Sequence, residues 1–257
     1  MNKHLRPPLA LSTIEQTLQR LAAQFTVRDI MVPSANLVKA KTLLEARKHL
    51  EIHDNFNIIP IESENQITDY VERGREELKP ISLDLVIGNG CSILDLVDVL
   101  VDRQFCFVTG KHGVEGFVHF SDLNHNLVDL PFYVLLQAVE AHVASLIGAT
   151  FNEANLQRVF DGYRPGFVKR IVDRYEKSKS NDADRSLLNE VNLKTMLSFA
   201  CYFKLLDLTD KEICQVSAVR DSISHVPEKL INKHGDVNHL RLTKDLCHKI
   251  LSNRSSA

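Results

Sequence analysis

The sequence predicts an α+β protein in two parts, a doubled α/β half followed by an all-helical half. From about residue 27 to residue 130, strand-like and helix-like runs follow the order strand, helix, strand, strand, helix, and that order occurs twice. After Leu130 the strand pattern stops and helix-period runs take over. The chain has 257 residues, 44% hydrophobic and 25% charged, an ordinary globular balance for one large or two ordinary domains. The expected domains are 1–130, with an N-terminal helix, and 131–257.

In order, Leu11, Ile14, Leu18, Leu21 and Phe25 recur at helical spacing and form one apolar stripe. Ser12 and Glu15 have the spacing of a capping box. "VRDIMVP" then leads to the helical "KTLLEARKHLEIHD" and to two strands, "FNIIPIES" and "ITDYVER", joined by the polar turn "ESENQ". The second round is "LDLVIG", the helix "CSILDLVDVLVDR", the strand "QFCFVTG", a glycine turn and "GFVHFSDL". Gly110, Gly113 and Gly116 are expected to permit the reversal. In the second half, "LPFYVLLQAVEAHVASLIG" places Pro131 at a helix start. Further helices follow, and Thr209 with Glu212 has capping-box spacing.

Charge and cysteine use narrow the function classes. A net charge of −2 supplies no global field toward nucleic acid or anionic membrane, so such binding would need a local patch. No apolar run reads as long enough to cross a bilayer, and "MNKHLRPPLALS" lacks the core of a secretion signal. Cys91, Cys106, Cys201, Cys214 and Cys247 have no paired spacing, so neither a disulfide framework nor a zinc set is expected. A cytoplasmic location without membrane association follows as the expectation.

The residues "VRDIMVP", "NIIPI" and "GFVHFSDL" give the first half its likeness to a pair of CBS domains, over residues 9 to 130. That resemblance implies two CBS repeats, with clefts that hold an adenine nucleotide (AMP, ADP or ATP) as a regulatory ligand. It assigns ribose recognition to Asp122, with Ser121 beside it and His119 at the position where the family commonly has Ser or Thr. An ionised carboxylate is a strong acceptor for ribose hydroxyls. In the first copy Glu72 and Arg75 stand at the corresponding places, and arginine cannot accept a hydrogen bond. One cleft is therefore expected to be degenerate. Without a ligand, Asp122 would serve as a cap for the following helix.

The second half resembles the HEPN superfamily of helical bundles through "RDSISHVP": Arg220, the polar Asp221, and His225 after four intervening residues, with Pro227 behind. Positions five apart on a helix differ by roughly 140° in direction, so Arg220 and His225 do not share a face. The family solves this by pairing two copies across a dimer, which implies a homodimer here. The implied activity is metal-independent endoribonuclease cleavage of RNA, not DNA. His225 would act as general base or acid, Arg220 would grip the phosphate and Asp221 would orient one of them. The alternative is a non-catalytic CBS nucleotide sensor or adaptor whose helical half mediates dimerisation or partner binding.

Residues 158–179 carry seven Lys or Arg against three acids, interleaved with Phe160, Tyr163, Phe167 and Tyr175. The aromatics are expected to pack inside a bundle while the charges solvate its outer face. His49 and His53 lie one turn apart without a third ligand, so no metal site is expected.

Overall fold

The structure, a computed structural model, describes residues 11–75, 77–163, 167–179, 186–224, 229–231 and 236–253. It is of the α+β class and divides into two compact units. One runs Ala23–Pro131 and takes in Lys229–Arg241. The other comprises helices and includes α1 (Leu11–Ala22), which the sequence reading grouped with the first half. An amphipathic stripe specifies that a helix is covered, not by which partner.

In the α/β unit, β1 (Val32–Pro33), α2 (Leu43–Ile52), β2 (Ile58–Ser63) and β3 (Gln66–Glu72) form one copy of the repeat. The second copy is β4 (Lys79–Pro80), β5 (Val86–Gly88), α3 (Ile93–Leu100), β6 (Phe105–Gly110) and β7 (Gly113–His119). The sheets have the orders β1-β7-β6-β5 and β2-β3-β4. Each copy's leading strand therefore pairs with the other copy: β1 runs antiparallel to β7, and β4 antiparallel to β3. Inside each copy the helix connects parallel partners, Ile87 opposite Val108 in one and the isolated bridge Ala40–Ile61 in the other. Both hairpins carry an irregularity at the same repeat position, after Ile61 and after Val108. One sequence offset thus relates Ala40 to Ile87, Ile61 to Val108 and Glu72 to His119.

Local chemistry explains these elements. Thr42 and Ser92 cap α2 and α3 by accepting the amides of Glu45 and Asp95 at 3.2 and 3.1 Å. The β2–β3 turn sets Glu64 and Asn65 at φ 51° and 63°, the left-handed pair that matches strand twist in a two-residue hairpin. Of the three glycines expected to make the second reversal, Gly113 takes a positive φ of 104°. Gly110 and Gly116 sit in the strands, and Gly116 is there for close approach. A Cβ on it would lie 2.9 Å from the Val32 carbonyl oxygen of β1.

The helix expected to close each repeat is corrected. After β3 the chain turns at Gly74 (φ 75°) and reaches β4 at Lys79, too short a path for a helix. After β7 comes a 3-10 helix, Phe120–Asn124. Ala46, Leu50, Ile59, Ile61 and Val71 form one core cluster. Ile67, Tyr70 and Phe107 form a second, backed by Ile58, Phe105 and Phe117, and it joins the two sheets. Asn124 fastens the separate segment at Ile231 to this unit, accepting its amide at 2.8 Å and donating to its carbonyl at 3.2 Å.

The helical unit contains α5 (Glu153–Tyr163), α6 (Phe167–Lys179), α7 (Leu193–Tyr202) and α8 (Asp210–Ser224), with most of α4 (Asn126–Thr150) and α9 (Asn238–Ser252). α4 opens at Asn126 and carries Pro131 inside it, not at its start. By length and composition α4 could also cross a bilayer, contrary to the expectation that no run is long enough. Its Phe132, Leu135, Leu136, Val139, Val143 and Ile147 are buried. Phe160 is buried and stacks on Phe199 at 4.1 Å, and Tyr175 is buried too, so these aromatics of the basic segment pack inward. The Thr209–Glu212 capping box forms, with Thr209 N donating to Glu212 Oε2 at 2.7 Å and Glu212 N to Thr209 Oγ1 at 3.2 Å. α1 takes in Ser12, which therefore lies within the helix.

Candidate functional site

At the end of β7 the chain leaves the sheet and enters the 3-10 helix, and two reciprocal bonds define the corner. Asp122 Oδ2 accepts the His119 amide at 2.8 Å, and His119 Nδ1 accepts the Ser121 amide at 3.3 Å. Ser121 Oγ lies 2.8 Å from the same Nδ1. Phe120 N donates to the Gln104 carbonyl at 2.9 Å and fixes the corner to the start of β6. An Nδ1 that accepts a backbone N–H carries no proton, so the neutral ring bears its hydrogen on Nε2.

This corner borders a cavity of about 300 Å³. Its walls are Val32, Leu37 and Val38 from the start of the first copy, and Phe56 with Ile58–Pro60 around β2. Phe105 and Phe117 come from the second copy's β6 and β7. Asn36, Asn55, Asn57 and Gln104 add neutral polar groups, and His119, Ser121 and Asp122 complete the lining. All three residues to which the CBS resemblance gives ribose recognition thus meet one apolar, aromatic-walled cavity. The volume stands at the lower end of the ~300–1,000 Å³ usual for ligand pockets.

Burial sets the electrostatics. It raises the Asp122 carboxyl, while the His119 amide and the neighbouring His119 and His125 act in the other direction. Burial lowers His119, against the pull of Asp122. An ionised Asp122 is therefore a desolvated acceptor with Oδ2 engaged, and a ligand hydroxyl would find Oδ1. The capping role expected without a ligand is present, through Oδ2.

The equivalent site of the other copy is built differently. The counterparts of His119 and Val32 are Glu72 and Lys79, joined at 2.6 Å; those of Leu37 and Phe56 are Asp84 and Arg103, 3.4 Å apart. Four lining positions of the cavity correspond to two ion pairs there.

The proposed nuclease residues are only partly brought together. Arg220 and Asp221, near the C-terminal end of α8, are adjacent, with Nη1 and Oδ1 3.6 Å apart and side chains 37% and 64% exposed. Ser224 Oγ donates to the Arg220 carbonyl at 2.9 Å. His225 and Pro227 lie outside the described residues. A cavity of about 660 Å³ in the helical unit is lined by Tyr163, Lys194, Ser198, Cys201, Tyr202 and Asp210 among others, and neither Arg220 nor Asp221 borders it. Among the described residues no group of three His, Cys, Asp or Glu is placed to hold a metal ion.

Sequence reasoning found the corner and missed Phe56, Phe105, Phe117 and the asparagines. The corner is four consecutive residues, whereas the walls come from both copies and depend on strand pairing. The repeat offset was the one signal available, since it sets Ile58 against Phe105 and Tyr70 against Phe117.

Fold and site together define a tandem α/β module with a ligand-sized cavity, carried in a chain with a helical unit. No protein-family model matches the chain, and no curated protein matches it. Among solved structures it is similar to the CBS domain of a bacterial CNNM/CorC family Mg2+ transporter in complex with the inhibitor IGN95a. The identity is 16%, over 48% of this chain and 85% of that one, with a TM-score of 0.33.

Proposed function

We propose that this protein is a ligand-responsive regulator: its α/β unit is a CBS-type sensor of an adenine nucleoside or nucleotide, and its helical unit serves dimerisation or partner binding. The convergence of His119, Ser121 and Asp122 on an aromatic-walled cavity carries this reading. Apolar walls suit a planar base, and a buried carboxylate beside a hydroxyl suits a ribose diol. Titrating the full chain with adenosine, AMP, ADP and ATP in a thermal-shift assay tests it. At least one should stabilise the protein, by mass action, and Asp122→Ala should remove that stabilisation. No shift with any of the four rejects the sensor.

The second reading, an endoribonuclease, is favoured by the solvent-accessible Arg220–Asp221 pair on α8. Under the adaptor reading, RNA incubated with the protein without metal stays intact. Ends bearing 2′,3′-cyclic phosphate, produced by the wild type and lost in Arg220→Ala, would replace the adaptor with the nuclease.

A further inference from the structure

Resting on the sensor reading, we infer that the cavity selects an uncharged nucleoside over its phosphorylated forms. Among the described residues the lining contains no lysine or arginine, and Asp122 is its one carboxylate. Phosphate sites ordinarily supply a cation, or a helix N-terminus with free amides. Here the amides at the start of the 3-10 helix are engaged: Phe120 N with Gln104 O, and Ser121 N with His119 Nδ1.

Three cations near the lining in sequence, Lys39, Arg73 and Arg103, are engaged with other groups. Lys39 is paired with Glu62 at 2.5 Å. Arg73 donates through Nε to the Phe56 carbonyl at 3.0 Å and through Nη2 to the His53 carbonyl at 2.6 Å, holding the segment behind the wall. Among the described residues, the side chains that act on the Asp122 carboxyl are His119 and His125, with no lysine or arginine beside them. The repeat makes the comparison direct. Where the other copy has Lys79 and Arg103, the cavity has Val32 and Phe56.

A phosphate on the ligand would bring one or two negative charges into a small space that holds an anion and no compensating cation. Hydroxyls and ring nitrogens, in contrast, match what the lining offers: Asp122 to accept, the His119 Nε2–H and the amides of Asn36, Asn55, Asn57 and Gln104 to donate. Asn and Gln orient neutral polar atoms without choosing a charge.

Calorimetric titration of the full chain at ~0.15 M salt tests the inference with adenosine, AMP and ATP as probes. Adenosine should bind about tenfold more tightly than ATP, with AMP between them, the order expected from unscreened like-charge repulsion. Gln104, exposed at the cavity rim, provides the gain-of-function arm. Gln104→Lys should raise the affinity for AMP relative to that for adenosine about tenfold. AMP or ATP binding as tightly as adenosine to the wild type overturns the inference and leaves the sensor standing. Failure of all three to bind removes both.

Discussion

Replacing Asp122 by asparagine separates the capping role of its carboxylate from the proposed contact with a ligand. Oδ2 accepts the His119 amide at 2.8 Å, which an asparagine amide oxygen would also accept, so the cap survives. The negative charge does not survive. Because burial holds the Asp122 carboxyl above its ordinary value, its ionised form opposes folding at neutral pH. Asp122→Asn should therefore leave the melting temperature of the free protein unchanged or raise it by roughly 2 °C, a fraction of a kcal/mol for a domain of this size. Binding should move the other way. A hydrogen bond to a charged acceptor contributes about 1.5–3 kcal/mol against about 0.5–1.5 for a neutral one. The loss of about 1.4 kcal/mol is tenfold in affinity for adenosine. Melting curves of the ligand-free protein and calorimetric titration read the two effects separately. A variant that melts several degrees lower yet binds adenosine as the wild type does would make Asp122 a structural cap and refute the reasoning.

Adenosine affinity should fall as the solution is acidified through the raised Asp122 value, at a pH above the ordinary 3.8 of an aspartate, and titration of Asp122→Asn over the same range should be flat. Phe107→Ala empties the centre of the cluster formed with Tyr70, Phe105 and Phe117, whose ring centroids lie 5.7, 6.0 and 5.6 Å away. Urea unfolding of the variant should show a loss of about 3–5 kcal/mol. Gly116→Ala drives a methyl to 2.9 Å from the Val32 carbonyl oxygen, and strand backbone cannot yield without loosening the β1–β7 pairing. It should lower stability by about 1–3 kcal/mol and weaken adenosine as well, since Val32 lines the cavity; a wild-type melting curve would refute the close-approach argument.

What could be read from the chain was what is local in it. The strands from Ile58 to His119 and the helices between them announce themselves by period, and the corner His119–Asp122 lies within four residues. The exchange of leading strands was not legible. β1 and β4 are two residues long, and nothing in "VP" or "KP" says that each pairs with the opposite copy. The start of α4 was misplaced because Pro131 is a stronger local signal than the polar "NLVD" turn before it, although the helix runs through the proline. α1 was grouped with its neighbour in sequence because an apolar stripe is silent about distant partners. The same silence covers the cavity walls, which exist only once Phe56 of one copy meets Phe105 and Phe117 of the other.

The asymmetry between the two copies ties these points together. Duplication creates two equivalent corners with one backbone plan, so any difference between them must come from side chains. At one corner the plan carries Glu72, Lys79, Asp84 and Arg103, which satisfy one another; at the other it carries His119, Val32, Leu37 and Phe56, which do not. Partly exposed ion pairs contribute little to stability, so the charged corner has no large energetic advantage for the fold. Its effect is to supply internally the partners that a bound molecule would otherwise provide. The other corner, with Asp122 where the first copy has Arg75, keeps a carboxylate that caps its own 3-10 helix and has an apolar space beside it. Under the sensor reading, a corner that satisfies itself has no use for a ligand, and the one whose carboxylate borders a cavity is completed by binding one. The expected stoichiometry is therefore one ligand per chain, which the same titrations measure; two sites of similar affinity would contradict the charge argument at its source.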